Sequence, residues 1–137
     1  DPTHINVIEP GKRTYHTLAP GMVLRGDNSL MMVFGSPGTD GQTQTMLQVL
    51  NNIYLFGMTP QQAVDAPRYR SYADGQLLID AGVGEEVIES LRARGHGARL
   101  QPTPSAELGG AQVIVVLPSG VKWIGADHRR EAYGMAW

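Results

Sequence analysis

Residues 30–56 read LMMVFGSPGTDGQTQTMLQVLNNIYLF, and three local regimes follow one another in them. Leu30, Met31, Met32, Val33 and Phe34 are an unbroken apolar run, the pattern of a strand covered on both faces. Gly35-Ser36-Pro37-Gly38 continues neither strand nor helix, so the chain is predicted to turn there. Asp40 occupies the place of an N-cap, where its carboxylate would accept from the free N–H groups of a first helical turn. Met46, Val49, Leu50, Ile53 and Tyr54 then fall at i, i+3, i+4, i+7 and i+8, one face of an amphipathic helix. Gly57 stands as its C-terminal glycine. The elbow is therefore expected to leave the amides of Gly38 and Thr39 free, at a helix start beside a sheet, a place suited to an anion or an oxyanion.

The strand entering the elbow has a partner upstream. Residues 19–24 and 30–34 flank Arg25-Gly26-Asp27-Asn28-Ser29, turn chemistry that predicts an antiparallel hairpin. Before it, residues 1–11 are polar with two prolines and read as an extended connection, and residues 12–17 (KRTYHT) form a short polar segment. His16 is read in two ways, as a hydrogen-bonded structural histidine or as a site residue beside the elbow.

Downstream, Thr59-Pro60 is an N-cap followed by an N1 proline, opening a short helix over residues 60–65 that Pro67 stops. Arg68, Tyr69, Arg70 and Tyr72 alternate as a strand, Asp74-Gly75 turns, and residues 76–79 return. Arg68 and Arg70 are candidates for a substrate carboxylate, against a structural ion pair. Residues 84–94 form a second amphipathic helix, with Glu85 and Glu86 in its first turn and Arg92 and Arg94 in its last. A strand over 98–101, a loop over 103–110, and a hairpin of residues 112–117 and 121–126 around Pro118-Ser119-Gly120 complete the body. Asp127-His128-Arg129-Arg130 reads as a polar terminal segment, and residues 133–137 as a tail packing back on the body. Hairpins with two main helices indicate an α+β architecture of mostly antiparallel strands.

Composition narrows the chemistry. The chain has 137 residues, a net charge of −2 and no run of Lys or Arg, so no electrostatic footprint for nucleic acid or an anionic membrane is present. No stretch is apolar enough to span a bilayer as a helix, and no signal-peptide pattern opens the chain, which leaves its compartment undetermined. It begins with Asp1, so a boundary within a longer protein is expected. Without Cys there is no thiolate catalysis or Cys-ligated metal. His4, His16, His96 and His128 are scattered, so no metal is expected, and no cofactor. At the elbow, phosphate binding lacks a Walker lysine and faces Asp40. Ser36 lacks the G-x-S-x-G spacing, and Pro37 removes the following N–H. An oxyanion hole with its nucleophile elsewhere, or a purely structural turn, are the readings left.

The order and spacing of several further segments resemble the gamma-glutamyltranspeptidase family. They are Pro10-Gly11-Lys12-Arg13, Thr17-Leu18-Ala19-Pro20, Gly35-Ser36-Pro37-Gly38, Leu47-Gln48-Val49-Leu50-Asn51, Phe56-Gly57-Met58, AVDAPR at 63–68, Arg94-Gly95-His96, and Gly125-Ala126-Asp127 with Arg129-Arg130. The resemblance implies an N-terminal-nucleophile (Ntn) hydrolase, in which a precursor cuts itself and the new N-terminal threonine of the small subunit attacks a gamma-glutamyl or related acyl amide. It implies an αββα four-layer sandwich, with residues 1–137 as the C-terminal portion of the small subunit. Expected partners are the remainder of that subunit, the large subunit and the small amide substrate, with strand edges left open to association. By resemblance, Gly38 and Thr39 form the oxyanion hole, and His16, Thr17 and Asp40 belong to the substrate pocket. The segment alone is expected to be inactive. His16-Thr17 stand where a Ser-Ser pair is usual, and Thr39 where a second Gly is usual; His16-Thr17 with the following Asp40-Gly41-Gln42 are similar to the acylase-like branch. A non-catalytic homologue or interaction module with a structural turn is the alternative.

Overall fold

The computed structural model describes residues 1–135. Its elements are β1 (Gly21–Leu24), β2 (Leu30–Gly35), α1 (Gly41–Tyr54), α2 (Pro60–Asp65), β3 (Tyr69–Ser71), β4 (Gln76–Asp80), α3 (Glu85–Ala93), β5 (Gly97–Gln101), β6 (Gln112–Val116) and β7 (Lys122–Ala126). They form a four-stranded antiparallel sheet in the order β1-β2-β6-β7 and a three-stranded sheet in the order β3-β4-β5. The α+β class holds. One pair is parallel: β4 returns to β5 through α3, because a parallel neighbour needs a crossover and α3 supplies it.

Each sheet has one helical cover. α1 and α2 lay Val49, Ala63 and Val64 on Met32, Ala111 and Val113 of the larger sheet. α3 lays Ile88 on Ile79 and Ala98 of the smaller one. The cover expected on both faces of residues 30–34 is met on one. Met32 is fully buried, but Met31 and Val33 on the other face are only half-buried, and Met22, across the hairpin from Val33, is 64% exposed. The register aligns Met22, Val33, Ile114 and Ile124 across the sheet. This row lies on the face opposite Met32, since neighbouring residues alternate.

The turns follow their chemistry. Asn28 has φ +66° in the first hairpin, and Thr59 forms a capping box with Gln62. The N-terminal eleven residues are not extended but a series of turns. The Asp1 carboxylate accepts from Thr3 N at 2.8 Å, and Asn6 N donates to His4 Nδ1 at 3.0 Å, local bonds that polar side chains offer in place of an extended run. The tail meets the sheet through Gly134 against Ile124, whereas Tyr133 is 92% exposed. The Ala136-Trp137 part of that expectation lies outside the described residues.

In the polar terminal segment 127–130, Asp127 and Arg129 are buried. Arg68 Nη2 donates to Asp127 Oδ2, Arg129 Nη1 lies 3.2 Å from Asp127 Oδ1, and Arg129 Nη2 lies 2.6 Å from Asp80 Oδ2. Two guanidinium groups and two carboxylates thus alternate and neutralise one another, joining the end of β7 to the end of β4. Among the described residues no helix is long and apolar enough to cross a membrane, and no group of three or more acidic or histidine side chains is placed to hold a metal.

Candidate active-site loop

The elbow between β2 and α1 is held from behind. Ser36 is buried; its Oγ donates to Pro37 O at 2.9 Å and accepts from Gly110 N at 3.2 Å. It is engaged in the fold rather than presented as a nucleophile. Gly109 closes up behind it, where an added Cβ would stand 2.8 Å from both Ser36 Oγ and Thr45 Oγ1.

Past Pro37 the backbone enters left-handed territory twice, at Gly38 (φ +135°) and Thr39 (φ +49°). Glycine tolerates this, but for β-branched threonine it is an outlier of about 1–3 kcal/mol. Gly38 O accepts from Gly41 N at 2.9 Å and from Thr39 Oγ1 at 2.8 Å, and Thr39 O accepts from Gln42 N at 3.1 Å. The carbonyls are thereby turned toward the start of α1. Among the described residues the amides of Gly38 and Thr39 donate no hydrogen bond. Two consecutive unpaired donors beside a helix N-terminus form the kind of concavity in which negative charge is stabilised.

Asp40 does not cap α1 as expected. It stands at the N-cap position with φ −67° and ψ −17°, and its side chain makes no capping bond. A capping residue is extended; Asp40 is already helical, and the turn is closed by backbone carbonyls instead.

A cleft of about 570 Å³ opens beside these donors. Thr17, Leu18, Ala19 and Pro20 form one side and Ser36, Pro37, Gly38 and Thr39 the other, with Gln42 between. Gln42 Nε2 donates to Thr17 O at 2.6 Å and ties the two sides together. Thr17, Gly38 and Thr39 of the sequence-predicted set are thus brought together. His16 and Asp40 are exposed and do not line the cleft. The apolar series that begins at Met46 does not reach Gln42. The buried residues Gln42, Thr45 and Val49 carry that stripe back to the first turn, and polar residues on a buried stripe are the signal that was available.

The two arginines offered for a carboxylate have other work. Arg68 is sealed, with Nε on Leu108 O at 3.2 Å and Nη1 on Val64 O at 3.1 Å besides Asp127. Arg70 bonds Glu107 O at 3.2 Å and lies over the Tyr72 ring at 4.8 Å. Burial lowers the Arg68 pKa, opposed by Asp127. Asp80 and Asp127 lie below the ordinary carboxylate range. In both, burial acts against ionisation and is outweighed, for Asp80 by the Thr103 hydroxyl and Arg129, for Asp127 by Arg68 and the Arg129 amide.

Comparison with known proteins gives this geometry a context. The family model described as Gamma-glutamyltranspeptidase matches residues 1–137. The glutathione hydrolase-like YwrD proenzyme of Bacillus subtilis is 33% identical over 134 residues, and the oxamate amidohydrolase proenzyme of Klebsiella pneumoniae 32%; each match covers 94% of this chain and 25% of the relative. The chain thus spans about a quarter of the length of these curated relatives. Cephalosporin acylase from Bacillus halodurans superposes with a TM-score of 0.83 at 34% identity, over 100% of this chain and 25% of that one. A gamma-glutamyltranspeptidase mutant from Pseudomonas nitroreducens superposes with 0.78 at 29% identity, over 98% and 69%. The α+β arrangement is that of these Ntn-hydrolase neighbours, and the chain belongs to the gamma-glutamyltranspeptidase family, whose members are amide hydrolases and acyltransferases.

Proposed function

We propose that this chain is the C-terminal portion of the small subunit of a self-processing N-terminal-threonine amide hydrolase or acyltransferase. Its substrates are gamma-glutamyl or related acyl amides. Gly38 and Thr39 donate their amides to the oxyanion of the tetrahedral intermediate. Thr17 walls the acyl pocket, with His16 and Asp40 at its approach. The attacking threonine, the rest of the small subunit and the large subunit lie outside residues 1–137. The observation that carries this reading is the pair of consecutive unpaired amides at Gly38 and Thr39, residues that line a cleft together with Thr17. The apolar row from Met22 to Ile124, half-buried except for the exposed Met22, supports a further layer from the rest of the protein, as a four-layer sandwich requires. The names of the relatives, several of them proenzymes, support self-processing.

Intact mass and N-terminal sequencing of the full-length gene product test this. Two chains are expected, the smaller starting with threonine and containing this segment. A single uncut chain with no acyl-amide turnover would identify a non-catalytic homologue instead.

A further inference from the structure

Gln42 is only 7% exposed, yet one atom of its amide is unpartnered. Nε2 donates to Thr17 O. A backbone carbonyl only accepts, so the atom facing it must be the NH₂, and the orientation of the amide is fixed by chemistry. Oε1, on the other arm, accepts no hydrogen bond from the described residues. Nor is it sealed: the enclosed side-chain polar atom without a partner among the described residues is Arg129 Nε. Gln42 lines the cleft, so Oε1 is an acceptor held rigidly and open to it.

We propose that Gln42 reads the acyl group of the substrate, its Oε1 accepting a hydrogen bond from an uncharged N–H on the acyl chain while Nε2 keeps the side chain on Thr17. The proposal rests on Gly38 and Thr39 being the oxyanion donors. With the scissile carbonyl there, the acyl chain runs past Gln42 along the wall that begins at Thr17. Among the described residues no acidic side chain lines the cleft, and the donor proposed is uncharged. A neutral carbonyl oxygen matches an amide N–H, whereas an ammonium in such a cleft needs a carboxylate. A buried acceptor left dry by a substrate lacking the N–H disfavours that substrate.

The test uses the full-length processed enzyme and two anilides, N-acetylglycyl and levulinyl p-nitroanilide, which differ only in an NH replaced by CH₂. We expect kcat/KM to favour the N-acetylglycyl substrate by about tenfold or more. Gln42→Met, which keeps the chain length but gives up the tie to Thr17, is expected to slow both substrates and to bring the two near parity by costing the N-acetylglycyl substrate more. Gln42→Glu keeps the acceptor and is expected to retain the preference at reduced overall rate, which decides the matter where Gln42→Met does not fold. Parity in the wild type, turnover of neither anilide by an enzyme that cleaves other acyl amides, equal loss on both in Gln42→Met, or loss of the preference in Gln42→Glu overturns the proposal. Absence of self-cleavage and of all acyl-amide turnover overturns instead the oxyanion reading beneath it.

Discussion

Gln48 pairs with Tyr69 as a neighbouring strand would: its Oε1 accepts the Tyr69 N–H at 2.9 Å and its Nε2 donates to the Tyr69 carbonyl at 2.9 Å. Gln44, one turn earlier on α1, does the same to Ser71 at 2.8 and 2.9 Å. One helical turn advances about 5.4 Å and two strand residues about 6.6 Å, so i, i+4 on α1 meets i, i+2 on β3. Gln61 repeats the device on β7, bonding both N and O of Ala126 at 3.0 Å. Side chains thus pair part of the edges of β3 and β7.

Replacing Gln44 and Gln48 together by leucine strands two N–H and two C=O groups of β3. The full-length protein is expected to lose about 0.5–1.5 kcal/mol per hydrogen bond removed and to associate through the opened edge. Urea titration and analytical ultracentrifugation measure the two effects; a monodisperse variant of unchanged stability would show that the glutamine ladder is ornamental.

The buried ion chain makes stability depend on acid. Asp80 and Asp127 ionise more readily folded than unfolded. Their contribution is therefore complete above the unfolded carboxylate value of about 3.9 and fades as pH falls through the depressed folded values. The urea midpoint of the full-length protein should drop between about pH 5 and pH 2. Asp127→Asn should cost about 3–5 kcal/mol at pH 7 and flatten part of that dependence; an unaltered pH profile in a folded variant would remove Asp127 from the account.

At Gly125 a side chain has nowhere to go. An added Cβ would lie 2.5 Å from Pro60 O and 2.6 Å from Pro60 C, and backbone cannot rotate aside as a side-chain tip can. Gly125→Ala is expected to lift α2 from β7 and destabilise the full-length protein by about 1–3 kcal/mol, read as a lowered Tm. Gly26→Ala, where nothing lies within 4 Å, is the control.

The oxyanion donors need a test that spares the backbone. Proline at Gly38 would remove an N–H but cannot adopt φ +135°, so its effect would not isolate the donor. Replacing the Thr39 amide by an ester in the full-length enzyme removes the N–H alone. A fall in kcat of about 10²–10³ is expected. Thr39→Gly keeps the N–H and relieves the left-handed threonine. It should retain turnover and leave stability equal or higher by about 1 kcal/mol. An ester variant as fast as wild type would exclude Thr39 as a donor.

Sequence by itself determined the local elements: the hairpin around Asn28, the elbow at Gly35-Ser36-Pro37-Gly38, the Thr59 cap, and the Gly84 and Gly95 boundaries of α3. Those depend on residues a few positions apart, through φ preferences, caps and periodicity, which a linear reading contains. Family motifs carried Gly38, Thr39 and Thr17 to one cleft. What only the tertiary structure decided are relations between residues far apart in the chain. Asp127 and Arg129 read only as part of a polar terminal segment, and each is costly to bury alone; they are buried because Arg68 and Asp80, 59 and 49 residues distant, neutralise them. Gln44, Gln48 and Gln42 stand outside the apolar series of the helix. Their amides find backbone partners up to 27 residues away, and a hydrogen bond between distant segments leaves no periodic trace in the sequence.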